Sequence, residues 1–526
     1  MTNSISEIED ADCVFIIGSN TTSSHPLVAT RIFRAKKKGA RIIVADPRRI
    51  QLSSLADITV HQNLGTDVAL LNGMMHVILK RGWHNLSFVE DRTEGFEAFS
   101  KVVEDYPPEK VAEITGIAAE DIIRMAEIYS KAKTASIVYC MGITQHTTGV
   151  DNVKTLANLA MLTGNVGRES TGVNPLRGQN NVQGACDMGG LPNVYPGYQP
   201  VTMIDVQKKF ETAWNASLSD KVGRTVPQML TGLTDGSVKA LYVMGENPIQ
   251  SDPDSEHVKK ALAAAELLVV QDIFLTPTAE LAHVVLPGTS FAEKDGTFSN
   301  TERRVMRVRK AIDPVGDSRP DWQIIQEISN RFGYPMNYGS PEAVMREIAS
   351  LTPSYGGITY DRLEGEGLQW PCPDVDHPGT RFLHKGMFSR GKGLFHPIEY
   401  RPPAEIVDEE FPIWLSTGRV FAHYHTATMT RNCPTLDSEI REGYLEVNPD
   451  DADKLGVSQG DRVTVTSRRG AITAKTAITD RVQKGLVFMP FHFIESNVNL
   501  LTNPAHDPIA QIPEFKVCAV RLEKAA

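Results

Sequence analysis

Two segments more than two hundred residues apart repeat one pattern. In the first, the apolar run CVFII (13–17) ends at Gly18. A stretch with Val28, Ile32 and Ala35 on one helical face follows, and RIIVA leads to Asp46. In the second, ALYVM (240–244) ends at Gly245. A stretch with Val258, Ala261, Leu262 and Ala265 on one face follows, and LLVVQ leads to Asp272. Gly18 precedes Asp46 by 28 residues and Gly245 precedes Asp272 by 27, and both turns read Gly-x-Asn. Continuous apolar strands joined by a helical crossover belong to buried parallel sheets. The repeat therefore predicts an α/β fold with two pseudo-related domains of Rossmann-like βαβ units. In the first unit Ser24 is placed to cap the helix, Pro26 sits in its first turn and Gly39 ends it.

The chemistry of such a unit is known. The turn after the first strand offers backbone N–H groups to an anion, and a carboxylate after the second strand accepts from a ribose or a base. Gly and Asp also follow strands for turn reasons alone, so one unit says little. The matched pair points to a ligand with two nucleotide ends. Neither turn reads G-x-G-x-x-G, so a nicotinamide dinucleotide fits poorly.

Composition removes other classes. The net charge is −10, which draws the chain to neither nucleic acid nor anionic membrane. No apolar run approaches the roughly 18 residues of a membrane span, and the first twenty residues are acidic without a signal core. A cytoplasmic location is expected. Six scattered cysteines (Cys13, Cys140, Cys186, Cys372, Cys433 and Cys518) contain no C-x-x-C pair, so no cluster, zinc site or other metal site is expected from this chain's own ligands.

Several loops stand out. MGITQ (141–145) follows the strand-like ASIVY. The stretch from Gly172 to Tyr198 holds four Asn, two Gln, one cation (Arg177) and one anion (Asp187), and is too long and polar for an ordinary connector. Residues 352–410 are rich in Gly and Pro without a period and read as a linker over the surface. From Phe411 short alternating strands and the hairpin turn SRRG predict a small barrel. Its loop STGRVFAHYHTATMT brings Arg419, His423 and His425 close in sequence. A His-x-His pair can bind metal, but these neighbours suit hydrogen bonding to an anion better.

RGQNNVQGACDMG, MGITQ, TGR…HYHTATMT and NLLTNPAHDPIAQIPEFK together resemble the molybdopterin oxidoreductase family, and within it the large subunit of formate dehydrogenases, over about 4–522. The resemblance implies molybdenum or tungsten held between two molybdopterin guanine dinucleotides. It places one guanine nucleotide at Gly18, Asn20, Ser24, Asp46 and Arg48, with Gly65, Asp67, Gly142 and Gln145 completing that side. Glu246, Asn247 and Asp272 take the other. Thr417, Arg419, His423, His425, Asn499 and Lys516 contact the pterins from the barrel. Arg177 resembles the family's active-site arginine, with Gly178 and Gln179 against the cofactor. A planar guanidinium matches formate, an anion with only a carboxylate to grip. No acidic neighbour in sequence suggests a structural salt bridge instead.

The implied domains are 1–179 for one dinucleotide, 180–351 for the other, 352–410 as linker and 411–526 as barrel. The family also carries an N-terminal [4Fe–4S] segment and a metal-ligating selenocysteine or cysteine followed by His. Neither motif occurs here, and the expectation is that they belong to a longer subunit or a separate chain, with Cys186 a structural thiol. The implied reaction is formate to CO2 or its reverse, with an iron–sulfur or flavin electron-transfer subunit as partner. The alternatives are another molybdopterin oxidoreductase, of nitrate reductase or formylmethanofuran dehydrogenase type, and a non-catalytic scaffold of a respiratory complex.

Overall fold

The computed structural model describes residues 1–525 and divides into two compact units. The first comprises residues 1–178, 250–255 and 382–526. Its five-stranded sheet is all parallel, in the order Ile58–Val60, Arg41–Ala45, Cys13–Ile17, Ala135–Tyr139, Gly172–Pro175. Strand alternation assigns the two faces. Cys13, Phe15 and Ile17 pack against helices Asp67–Lys80, Ala119–Lys131 and Gly149–Leu162, while Val14 and Ile16 pack against Pro26–Lys37 through Val28, Ile32 and Ala35. Both faces are covered, which is why CVFII reads as an unbroken apolar run.

The chain winds outward from Cys13–Ile17 to Ile58–Val60, then returns to Ala135–Tyr139 on the other side. At the reversal the two strand ends meet through glycines. The Gly142 N–H donates to the Gly18 carbonyl at 3.1 Å. A Cβ on Gly142 would lie 2.5 Å from that oxygen, and one on Gly18, at φ +56°, would lie 2.8 Å from the Gly142 carbonyl carbon. These glycines serve close backbone approach. Because every strand is parallel, all the following loops emerge at one end, where open α/β sheets bind ligands beside the reversal point.

The expected C-terminal barrel is present and closed, with six strands in the order Ile413–Gly418, Leu486–Pro490, Tyr444–Val447, Ala471–Ile478, Arg462–Thr466, Cys518–Lys524. Leu415, Val447, Val463, Val465, Ile472, Ala474, Val487, Met489 and Val520 fill it. In the SRRG hairpin Val463 and Val465 point inward with Ile472 and Ala474, and the Ser467 N–H donates to the Gly470 carbonyl at 2.9 Å. Ile413–Gly418 runs parallel to Leu486–Pro490 and antiparallel to Cys518–Lys524. The loops after residues 418 and 490 and the residues before 518 therefore share one rim.

The second unit comprises residues 179–249 and 256–381. Its parallel sheet runs Val284–Pro287, Leu267–Asp272, Ala240–Met244. Val243, Leu268 and Val270 pack with Val258, Ala261, Leu262 and Ala265 of the crossover. The other face presents Tyr242, Met244, Leu267 and Val284, all exposed. An antiparallel sheet, Gly296–Ser299, Arg304–Val308 and Leu368–Gln369, completes the unit. The stretch 352–410, expected as a surface linker, is instead partly core. Tyr355, Ile358, Leu363 and Cys372 are buried with Val305 and Met345, and Phe395 lies in the core of the first unit. Its apolar residues are spaced irregularly between Gly and Pro, so no period betrayed their burial.

Gly142→Ala is expected to destabilise the chain by roughly 1–3 kcal/mol, since the new Cβ meets backbone that cannot rotate away. Guanidinium denaturation of the variant checks this, and an unchanged midpoint would contradict the close-approach role.

Candidate functional site

The carboxyl-end loops of the first sheet carry Gly18, Asn20, Ser24, Asp46, Arg48, Gly65, Asp67, Gly142, Gln145, Arg177 and Gly178. The barrel rim carries Thr417, Arg419, His423, His425, Asn499 and Lys516. Both sets belong to the first unit. Ser24, expected from sequence to cap the helix Pro26–Lys37, does not. It closes the short helix Thr21–Ser24, and His25 occupies the N-cap position. The His25 ring makes no cap bond, because its Nε2–H donates to the Arg177 carbonyl at 2.6 Å.

That bond is one of three. The Cys140 Sγ–H donates to the Leu176 carbonyl at 3.1 Å, and Arg419 Nη1 donates to the Gly178 carbonyl at 2.8 Å. Three consecutive carbonyls around Arg177 thus receive side-chain donors from three different loops. Gly178 leaves room for the third, since a Cβ there would lie 2.5 Å from Arg419 Nη2 and the guanidinium would have to shift. His25 and Cys140 were missed by sequence reasoning. The only signal for His25 was its place in the turn GSNTTSSHP, where Ser24 offered the more obvious cap.

Positive charge crowds the same region. Lys516 Nζ donates to the Thr417 carbonyl at 2.8 Å, while the Thr417 hydroxyl donates to the Phe515 carbonyl at 2.8 Å. Burial, aided by the Arg48 and Arg419 charges, pushes Lys516 down to about 7. Burial and then the Arg419 charge hold His425 down to about 4. Burial also holds His492 down to about 3. His492 is a neutral ring used as a brace: Nδ1–H donates to the His425 carbonyl at 2.5 Å and Nε2 accepts the Val420 N–H at 2.9 Å. His425 itself takes the left-handed backbone, φ 48°. Burial raises the carboxyls facing this end, Asp46 and, to about 6, Asp67. Neither Arg419 nor Lys516 pairs with a carboxylate among the described residues; both donate to carbonyls.

Three expected contacts are drawn into the protein's own bonding. His423 donates from Nε2 to the Ile440 carbonyl at 2.6 Å and accepts the Thr430 hydroxyl on Nδ1 at 3.0 Å. The Asn499 amide donates to the Gln250 and Ser251 carbonyls at 2.8 and 3.1 Å. Arg48 lies over the Phe488 ring, 3.3 Å from its centroid, and reaches Glu446 at 3.2 Å.

In the second unit Gly245 and Asp272 stand at the carboxyl ends of adjacent parallel strands, as the repeat predicts, and the Gly245 N–H donates to the Gln271 carbonyl at 2.8 Å. Asp272 Oδ1 accepts the Ile273 N–H at 2.6 Å. Asn247 Oδ1 accepts the Thr278 hydroxyl at 2.7 Å, and Glu246 Oε2 accepts the Asn247 N–H at 3.2 Å. Gln179 opens this unit and is half-buried. Asp187, the one anion of the polar stretch, is fully buried. Its carboxylate accepts from Gln183, Tyr198, Tyr355 and Trp370 at 2.7, 2.8, 2.5 and 2.7 Å. It fixes the loop on neutral donors.

What this end of the first unit can hold follows from its donors. Buried cations demand an anionic guest. At this end two buried imidazole nitrogens, Nδ1 of His25 and Nδ1 of His146, have no hydrogen-bond partner among the described residues. His146 donates through Nε2 to the Gly142 carbonyl at 2.8 Å, so its Nδ1, like that of His25, is an acceptor facing an unsupplied donor. A guest with both phosphate oxygens and ring N–H groups satisfies both requirements, as a pterin nucleotide does.

Comparison with known proteins agrees. Residues 1–331 match the family "Molybdopterin oxidoreductase" and residues 413–519 match "Molydopterin dinucleotide binding domain". The chain belongs to the molybdopterin oxidoreductase family, and its cofactor is a molybdopterin. It is 54% identical, over 100% of its length and 78% of the relative's, to the F420-dependent formate dehydrogenase subunit alpha of Methanocaldococcus jannaschii. It is 43% identical to formate dehydrogenase H of Escherichia coli, over 100% of this chain and 74% of that one. Acetylene hydratase from Pelobacter acetylenicus shares the fold, with a TM-score of 0.76 at 20% identity over 99% of this chain and 81% of that one.

Lys516 gives a test in the cofactor-free chain. Its folded pKa of about 7 lies below the ordinary 10.5, so between these values the folded state binds fewer protons than the unfolded one. Stability should therefore rise with pH across that window. Lys516→Met should raise the cofactor-free melting temperature at neutral pH and flatten the rise. Calorimetry at about pH 7 and 9 checks this, and an unchanged slope would contradict the buried-charge assignment.

Proposed function

We propose that the chain is the catalytic subunit, or the larger part of it, of a molybdenum- or tungsten-dependent formate dehydrogenase, with the metal between two molybdopterin guanine dinucleotides. The observation that carries the substrate is Arg177, held by a backbone whose neighbouring carbonyls are fixed from three loops. Support for the reaction comes from two relatives named formate dehydrogenase, matched over this chain's whole length. Asn20, Asp46, Gly65, Asp67, Gly142 and Gln145 are assigned to one nucleotide side, and Glu246, Asn247 and Asp272 to the other. Arg419, His425 and Lys516 would meet phosphate and pterin from the barrel rim.

The reaction is HCOO⁻ → CO2 + H⁺ + 2e⁻. No side chain takes a hydride, and the metal–dithiolene group, when bound, supplies the two-electron acceptor. Arg177 binds the formate oxygens with parallel N–H donors and turns the C–H bond away from itself. As the carboxylate loses charge toward CO2, the guanidinium grips it less tightly, which favours product release. Electrons leave to an iron–sulfur or flavin partner, an arrangement supported by the name "subunit alpha" of the M. jannaschii relative. A [4Fe–4S] cluster and the metal's protein ligand would lie outside these 526 residues.

Holoenzyme purified with its partner subunits should reduce a viologen dye with formate. In that enzyme Arg177→Lys keeps the charge but loses the planar fork. A charge-assisted hydrogen bond contributes roughly 1.5–3 kcal/mol, so kcat/KM should fall about 10- to 100-fold with metal and pterin content intact. Wild-type kcat/KM would contradict the substrate role. Loss of activity only through loss of cofactor would make Arg177 a cofactor residue.

A further inference from the structure

The three donors around Arg177 differ in what else they do. Arg419 adds charge to the region, and Cys140 is a weak donor. His25 is the strongest neutral donor of the set, at 2.6 Å, and it grips the carbonyl of Arg177 itself. A carbonyl cannot donate, so the proton of the ring is on Nε2 and the lone pair on Nδ1. Nδ1 is buried and has no hydrogen-bond partner among the described residues. Burial first, and the Arg419 charge with it, lowers the ring's pKa against the opposing pull of the bond to the Arg177 carbonyl. The residue stands at the junction of the helices Thr21–Ser24 and Pro26–Lys37, with Pro26 next in sequence fixing the exit. A histidine at an N-cap without a cap bond has given up a local role for a distant one.

We infer that His25 is a positioning residue for substrate: its Nε2–H fixes the peptide that orients the Arg177 guanidinium, and its Nδ1 accepts a hydrogen bond from the molecule bound beside it. The inference rests on the assignment of Arg177 to formate. The peptide between Arg177 and Gly178 can rotate if its oxygen is released, because Gly178 has no Cβ to restrain it. The guanidinium would then sample several orientations, and a bidentate grip on a one-carbon carboxylate depends on one of them. Substrate affinity should suffer more than the rate of the chemical step, since the interaction lost is made in ground and transition states alike.

The test uses holoenzyme and three variants. His25→Gln places an amide N–H near the position of Nε2, and His25→Leu removes the donor. Arg177→Lys reports on the parent assignment. Steady-state formate KM and kcat are measured with metal and pterin content. Binding of nitrate, a planar oxyanion with no C–H bond to lose, is measured separately by calorimetry without electron acceptor. His25→Leu should raise the formate KM and the nitrate Kd together by about fivefold or more, the loss of roughly one hydrogen bond, with kcat per bound metal near wild type. His25→Gln should recover most of both affinities. If His25→Leu leaves both affinities unchanged while Arg177→Lys weakens them, the positioning role is wrong and the Arg177 assignment stands. If neither substitution weakens them, the Arg177 assignment fails as well. If both His25 variants lose cofactor while the affinities per bound metal stay at wild type, His25 is a cofactor residue and not a substrate-positioning one.

Discussion

Buried positive charge without a carboxylate to meet it is the constraint on which the rest of the first unit depends. Arg419 and Lys516 spend their hydrogen bonds on backbone carbonyls, and Asp46, whose charge Lys516 feels, is itself pushed toward its neutral form by burial. A desolvated cation costs several kcal/mol unless an anion accompanies it. The fold accepts that cost at the meeting of two elements that each gather loops at one end. The all-parallel sheet sends every following loop to one edge. The barrel sends its 418 and 490 loops, and the approach to 518, to one rim. Such an end is incomplete until an anionic guest occupies it, and a pterin dinucleotide has both phosphates for the cations and N–H groups for the open imidazole nitrogens.

The same economy explains the substrate loop. Formate offers nothing but its carboxylate, so in the proposed role of Arg177 selectivity comes from the placement of one guanidinium. Placement of a long side chain begins with its peptide, and here the carbonyls of Leu176, Arg177 and Gly178 are each held by a different element. In the second unit the buried Asp187 fixes the continuation of the loop on four neutral donors. A cationic donor to Asp187 would have brought a second positive charge to the loop, where it would compete for anions.

Much of the fold was legible because parallel strands buried on both faces leave unbroken apolar runs. CVFII, RIIVA, ASIVY and LLVVQD are strands or nearly so, and the helical faces at Val28, Ile32, Ala35 and at Val258, Ala261, Leu262, Ala265 are buried. The barrel was legible from alternation. The stretch 352–410 was not, because its buried Tyr355, Ile358, Leu363 and Cys372 follow no period. Site residues were harder still. A glycine after a strand looks the same whether it approaches a phosphate or another strand, and Gly18 and Gly142 approach each other. His423 and Asn499 stood in the right loops, yet they donate to carbonyls of their own unit. His25 carries no motif at all, since its partner lies 152 residues away in sequence.

We propose that two nucleotide-bearing pterins occupy the protein, one for each strand–glycine–helix–strand–aspartate unit. The direct measurement is the nucleotide released by acid hydrolysis of holoenzyme from its native host, separated by chromatography and counted against polypeptide and metal. Two guanosine monophosphates per chain and per metal ion are expected. One nucleotide per metal ion, or a base other than guanine, would contradict the reading of the repeated units as paired halves of one cofactor site.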